Sequence, residues 1–331
     1  MLSQPDIITL SKGDAVDHFL IVRKCELRTS KTNKQFLALE LADKSISLNS
    51  NMFESFEEIY TKVKAGDVVK VKGTIDDYQG SPQIKVKSIR PTKVTDDVTV
   101  MDFLAKSKRD MGEMRKEFFD RADKISNLKL HTLIKSIFTE DNFVKYSTVP
   151  AGKSWHHSYI GGLLEHTLEI IKICDLMCDF HPEINRDLLI CGAILHDFGK
   201  IEELSFETGF EYTDKGKLVG HIVISAILVN QKIDEIIDFP EDLKQCLIHL
   251  ILSHQGKLEH ASPVVPKTLE AIALYQADEL SAKVNAYKNA LTTEMKTDSK
   301  WTKFLSLAST DLYSHGINPE IEHQINKSLF D

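Results

Sequence analysis

Nowhere in the 331 residues do apolar side chains run for the roughly 18 consecutive positions that a membrane-crossing helix needs, which excludes such a helix. The N-terminus, Met-Leu-Ser-Gln-Pro-Asp, lacks the basic start and apolar stretch of a secretory leader, so a soluble, cytoplasmic protein with no membrane partner is expected. Cysteine is scarce and odd in number: Cys25, Cys174, Cys178, Cys191 and Cys246 lie mostly in apolar periodic segments and read as buried, reduced thiols. Cys174 and Cys178 stand one helical turn apart, but no second cysteine or histidine pair beside them completes a zinc set. Excess positive charge is also missing. A formal net charge of -8 argues against wholesale electrostatic binding of nucleic acid, while leaving room for a local basic groove. Internal repeats and low-complexity tracts are absent too.

The length suits about two domains. The fold class expected is multidomain α and β, an N-terminal barrel followed by an all-α bundle. In Gln35-Phe36-Leu37-Ala38-Leu39-Glu40-Leu41 the leucines alternate, the mark of a half-buried strand. Val69 and Val71 alternate with Lys70 and Lys72, and Ile84 and Val86 with Lys85 and Lys87, on either side of the turn-rich segment from Asp76 to Pro82. Between early and late strands, Glu54 to Lys64 is helix-like. Three strands, a short helix and two more strands match a Greek-key barrel of the OB type over residues 1–92. Residues 93–145 read as a charged helical connector, with Lys106, Lys108, Arg109, Arg115, Lys116 and Arg121 among acids. Residues 146–318 are expected as a helical bundle, with 319–331 as a tail.

A lone His-Asp pair is weak evidence in a chain with 13 histidines, so the surroundings of the pair must carry the argument. His196 and Asp197 close the apolar run Leu188 to Leu195, at the end of what reads as a buried helix whose stop is Gly199. A buried imidazole and carboxylate need partners, and a metal ion is one. Four more polar residues occupy similar settings in separate helical segments: His166 after Gly161-Gly162-Leu163-Leu164-Glu165, His221 after Gly220, His254 after Ser253, and Asp278 at the end of Ile272 to Ala277.

The order His166, His196-Asp197, His221, His254, Asp278 resembles the pattern of HD-domain metal phosphohydrolases. The phrases Gly-Gly-Leu-Leu-Glu-His-Thr, Leu-His-Asp-Phe-Gly-Lys, Gly-His-Ile and Leu-Ser-His-Gln-Gly behind an OB domain resemble the YhaM-type 3′-to-5′ exoribonucleases of Gram-positive bacteria. Gln255 departs from the pattern, since relatives often carry a second histidine there. The resemblance implies two divalent ions per subunit, with His166, His196 and Asp278 on one, His221 and His254 on the other, and Asp197 bridging. Imidazole and carboxylate ligands favour manganese, iron or zinc over calcium; manganese is the metal expected, with iron, magnesium, cobalt and zinc as alternatives. Such a pair holds the scissile phosphate and generates hydroxide for in-line attack. Asp197 and Lys200 are the candidate catalytic residues. Lys200 either offsets charge developing on the phosphate or is simply a cation at a helix C-terminus.

Lys153, His156 and His157 precede the His166 helix and are candidates for phosphate or base contact, with helix-entry packing the alternative. Gly152-Lys153-Ser154 imitates a P-loop but lacks its first glycine, since position 147 is serine. On the barrel, Phe36, Lys70, Lys72, Tyr78, Lys85 and Lys87 are candidate nucleic-acid contacts, or else a solvated exterior. A barrel beside a phosphodiester-cleaving site favours a processing nuclease. The partner implied by the resemblance is single-stranded RNA, with single-stranded DNA left open, as is a homo-oligomer. A phosphohydrolase of nucleotides or cyclic dinucleotides, and an RNA-binding regulator without catalysis, are the two other readings.

Overall fold

The computed structural model describes residues 4–30, 32–78, 80–153, 155–205, 210–296, 299–316 and 329, so the expected tail, 319–331, lies outside the described residues except for Leu329. Two compact units emerge, one built on the chain up to Ala105 and the other on Lys106–Ser205 with Phe210–His315.

The first unit is a closed barrel of β1 (Ala15–Thr29), β2 (Gln35–Ala42), β3 (Ser47–Met52), β4 (Val68–Tyr78) and β5 (Ser81–Pro91), in the order β1-β2-β3-β5-β4. Helix α1 (Glu57–Lys62) lies between β3 and β4, as the strand count from sequence requires. Alternation fills the barrel: Leu37, Leu39, Leu41, Val69, Val71, Ile75 and Ile84 all point into one core, each burial contributing roughly 1.5 to 3 kcal/mol. A bulge between Val22 and Lys24 bends β1, whose first half pairs with β4 and second half with β2. A second register shift falls at Gly73, where any Cβ would run into the Lys85 carbonyl. The parallel contact Asn49 to Gln83 closes the ring.

The second unit is helical: α2 (Met111–Ala122), α3 (Leu128–Ile137), α4 (Glu140–Tyr146), α5 (Gly162–Phe180), α6 (Arg186–Leu195), α7 (Lys200–Glu203), α8 (Asp214–Val219), α9 (His221–Asp234), α10 (Glu241–Ser253) and α11 (Leu269–Thr293). One two-stranded ribbon, β6 (Leu204–Ser205) with β7 (Glu211–Tyr212), interrupts the expected all-helical pattern. The central helix α5 packs on α6 and α11, while α10 packs on α6 and α9. The segment read as a connector is divided. Residues up to Ala105 go with the barrel, and α2 to α4 belong to the helical unit. Its charges are not all solvated, since Glu117 and Arg121 pair with Lys172 and Asp175 of α5; Met114, Phe118 and Ala122 are buried, and Phe118 joins Phe138, Phe143 and Tyr146 in an aromatic cluster. Cys174 and Cys191 are buried in the bundle, and burial pushes both thiols up. Among the described residues no helix is long and apolar enough to cross a membrane.

Candidate metal centre

The six polar residues converge. His166, His196 and Asp197 bring ligand atoms within 4.8 Å of one another, and so do Asp197, His221 and His254, so Asp197 belongs to both groups. Helix ends place most of them. His196 is the C-cap of α6, His254 the C-cap of α10, and His221 the first residue of α9, directly after Gly220 at φ 77°. His166 sits in the second turn of α5, whose entry depends on Gly161 at φ 83° and on Gly162, where a Cβ would overlap the His157 carbonyl. Asp278 projects from α11, with Oδ1 2.9 Å from His166 Nε2.

Each imidazole is aimed by its other nitrogen. His196 Nδ1 donates to the Ala193 carbonyl at 2.8 Å and His254 Nδ1 to the Ile251 carbonyl at 2.7 Å. His221 Nδ1 donates to Glu203 Oε1 at 2.9 Å, and the His221 backbone N–H donates to the same oxygen. His166 Nδ1 faces Ser281 Oγ at 2.9 Å; because that hydroxyl gives its proton to Glu169, its oxygen accepts from the ring. In the neutral rings this leaves all four Nε2 atoms as the ones able to ligate a metal. Three of them point at Asp197: His196 Nε2 lies 3.2 Å from Oδ2, and His221 and His254 Nε2 lie 3.4 and 3.5 Å from Oδ1. These three nitrogens and Asp197 Oδ1 are buried without hydrogen-bond partners. Lone pairs converging on a carboxylate out of water repel one another unless cations lie among them. The donor set thus fits divalent metal ions, and among the described residues these two groups of three are the ones that meet the geometry.

Sequence reasoning missed the orienting residues. Burial works against ionising Glu203, but the His221 ring and amide outweigh it and hold the carboxyl below its ordinary range. Replacing Glu203 with alanine is expected to weaken metal binding at the His221–His254 group by about 10- to 100-fold. Metal titration followed by calorimetry checks this, and unchanged affinity would remove Glu203 from the design.

Lys200 is the first residue of α7 and is buried, with Nζ 2.6 Å from Asp197 Oδ2 and a hydrogen bond to the Ala151 carbonyl. Burial would raise the Asp197 pKa, yet Lys200 and His196 outweigh it and keep the carboxyl well below its ordinary value. Lys200 is thus a counter-charge to the shared carboxylate. Gly199, expected as a left-handed stop, instead has φ -61°; what requires glycine is the close approach of the His221 carbonyl and Ser225.

Two pockets meet the cluster. One, ≈260 Å³, reaches it at His254 and Asp278; the other, ≈250 Å³, reaches it at His221 and Lys200. Trp155, His156 and Gln255 line both. His156 packs its ring 5.0 Å from that of His166, and burial pushes its pKa well below the ordinary histidine range. His157 is fully buried, with Nε2 3.3 Å from Glu169, so its ring is shut away from any base or phosphate. Lys153 lines the second pocket and pairs with Glu211 at 2.6 Å.

On the barrel the candidates fall on two faces. Lys70 and Lys72 pair with Asp17, and Lys70 also lies over Phe19; Lys85 and Lys87 are exposed on the neighbouring strand. Tyr78 instead lines a groove of ≈450 Å³ with Lys24, Arg28, Asn49, Asn51 and Gln83. Phe36, cross-strand partner of Arg28, stacks on Phe53 at 5.0 Å. Lys24, Arg28, Asn49 and Asn51 escaped notice because outward polar residues on strands look alike in sequence whether they are solvated or binding.

Residues 21–92 match the OB-fold nucleic acid binding domain family and residues 163–283 the HD domain family, so the fold and cluster define an OB-barrel protein with an HD-type hydrolase domain. The 3′-5′ exoribonuclease YhaM of Listeria monocytogenes is 32% identical over 86% of this chain and 90% of its own. The Bacillus subtilis protein of that name is 32% identical over 84% and 88%, and that of Oceanobacillus iheyensis 33% over 84% and 87%. The chain belongs to the YhaM family. Among solved structures, a domain of replication protein A from Methanococcus maripaludis matches 27% of this chain and 94% of its own at 24% identity, with a TM-score of 0.22, a likeness too weak to carry an argument.

Proposed function

We propose that the protein is a metal-dependent exoribonuclease that removes nucleotides from the 3′ end of single-stranded RNA. The observation that carries this reading is the pair of ligand groups sharing Asp197, with their inward lone pairs unpartnered. His166, His196, Asp278 and Asp197 would hold one divalent ion, manganese by preference, and Asp197, His221 and His254 a second. Such ions polarise a phosphodiester and make a nearby water acidic enough to supply the nucleophile at neutral pH. The chain itself aims the imidazoles, through Ala193, Ile251, Glu203 and Ser281. Lys200 fixes Asp197 between the groups and keeps it ionised.

Incubation with manganese and a 5′-labelled single-stranded RNA should give stepwise shortening and release of mononucleotides. RNA binding without shortening, or turnover confined to small nucleotides, would overturn the proposal. Single-stranded DNA is the natural second substrate to run beside it.

The barrel groove supplies the capture surface in this reading, with Tyr78 as the stacking platform, Arg28 and Lys24 as phosphate partners, and the Phe36–Phe53 stack on the strand residue paired with Arg28. The double substitution Tyr78→Ala and Arg28→Ala is expected to weaken RNA capture about tenfold or more, since base stacking alone contributes roughly 1 to 3 kcal/mol. Turnover of a small phosphodiester should fall by a much smaller factor. Equal losses on the two substrates would remove the barrel from substrate capture.

A further inference from the structure

Resting on that reading, we propose that the pocket at His254 and Asp278 seats the 3′-terminal nucleoside of the strand, with Trp155 and Tyr287 against the base and Glu279 accepting hydrogen bonds from the terminal ribose hydroxyls. At ≈260 Å³ the pocket is below the roughly 300 to 1,000 Å³ of sites for drug-sized ligands, a size suited to one nucleoside. Its walls are suited to that ligand. Trp155 and Tyr287 meet edge to face with ring centroids 6.5 Å apart, and both are only partly buried, leaving aromatic surface for a base. Tyr275 lies against Gly256, whose φ of 75° and missing Cβ let the ring seat beside the backbone that follows His254.

Glu279 is the neighbour of the ligand Asp278 and lines the same pocket, with Oε1 2.7 Å from Lys283 Nζ. Only the 3′ end of an RNA offers a ribose with two adjacent free hydroxyls; every internal ribose has its O3′ esterified. A carboxylate one residue from the cluster therefore reads a chain end, and reads ribose over deoxyribose. The second pocket, with Lys200, Lys153 and Tyr212, is left for the strand on the other side of the scissile phosphate.

Three RNAs that differ only in the last nucleotide test this, ending in ribose, in 2′-deoxyribose or in a 3′-phosphate. The first should be shortened about tenfold faster than the second, the effect of one hydrogen bond to a charged acceptor, and the third should resist. Glu279→Gln should narrow the ribose-to-deoxyribose ratio, a change that a purely structural role would not produce. Equal rates on all three ends in the native protein would overturn the proposal while leaving the exoribonuclease intact. Because the chain has two tryptophans, Trp301→Phe leaves Trp155 as the sole indole. Adding adenosine 5′-monophosphate should quench its fluorescence saturably, whether or not RNA is cut. No quenching at millimolar nucleotide would equally rule the site out.

Discussion

Asp197→Ala is expected to abolish metal-dependent phosphodiester cleavage, a loss of several orders of magnitude, and to strip at least one ion from the protein. Asp197 is the member common to both ligand groups, so its removal takes away the negative charge that lets two cations sit close together. Its two oxygens already divide the work: Oδ2 faces His196 and Lys200, and Oδ1 faces His221 and His254. The alanine variant also strips the buried Lys200 ammonium of its ion-pair partner, leaving the Ala151 carbonyl as its hydrogen-bond acceptor among the described residues. Breaking a buried ion pair costs about 3 to 5 kcal/mol, so a lower melting temperature should accompany the loss of activity. Asp197→Asn separates the two effects. It keeps the shape and a hydrogen-bonding group, so it should fold nearly as well and still fail in metal content and cleavage. Elemental analysis, RNA hydrolysis and circular dichroism on both variants form the test. Near-normal activity with full metal content in either would rule out Asp197 as the shared ligand.

The cluster was legible in sequence because each ligand lies in an apolar segment where an unpartnered polar group is conspicuous, as with His196 and Asp197 behind eight consecutive buried residues of α6. The residues that aim the ligands were not. Glu203 follows another glutamate in a four-residue helix, and Ser281 stands on α11, so no spacing relates them to His221 or His166, while Glu169, three residues after His166 on α5, reaches that ring only through Ser281. Their role exists only once α5, α7, α9 and α11 are packed. The strands of the barrel were readable from alternation. Its groove was not, because a period of two says which residues face outward and nothing about which outward face is concave. For α2 the signal was present and was outweighed: Met114, Phe118 and Ala122 recur every four residues, beneath the charges that suggested a solvated connector.

Gly199→Ala is expected to damage the site without touching a ligand. Gly199 follows the HD pair by two residues, and α9 crosses it so closely that its N–H donates to Ser225 Oγ at 2.7 Å. A Cβ added there would overlap the His221 carbonyl and lie 2.7 Å from the Ser225 nitrogen, and both obstacles are main chain. Backbone cannot swing aside as a side-chain tip can, so α9 must move away from the turn carrying Asp197 and Lys200. Overpacking of this kind costs about 1 to 3 kcal/mol, which a thermal melt in chelator will register as a lower midpoint. The larger effect falls on function. His221 opens α9 and is held there by Glu203 through both its ring and its amide. A shift of about 1 Å takes its Nε2 out of register with Asp197, and misplacement on that scale reduces rates roughly 100-fold. Metal should then stabilise the variant less than the native protein, so the difference between melts with and without manganese shrinks as activity falls. A variant that retains native activity and the native gain in melting temperature from manganese would show that the α9 contact does not set the position of His221.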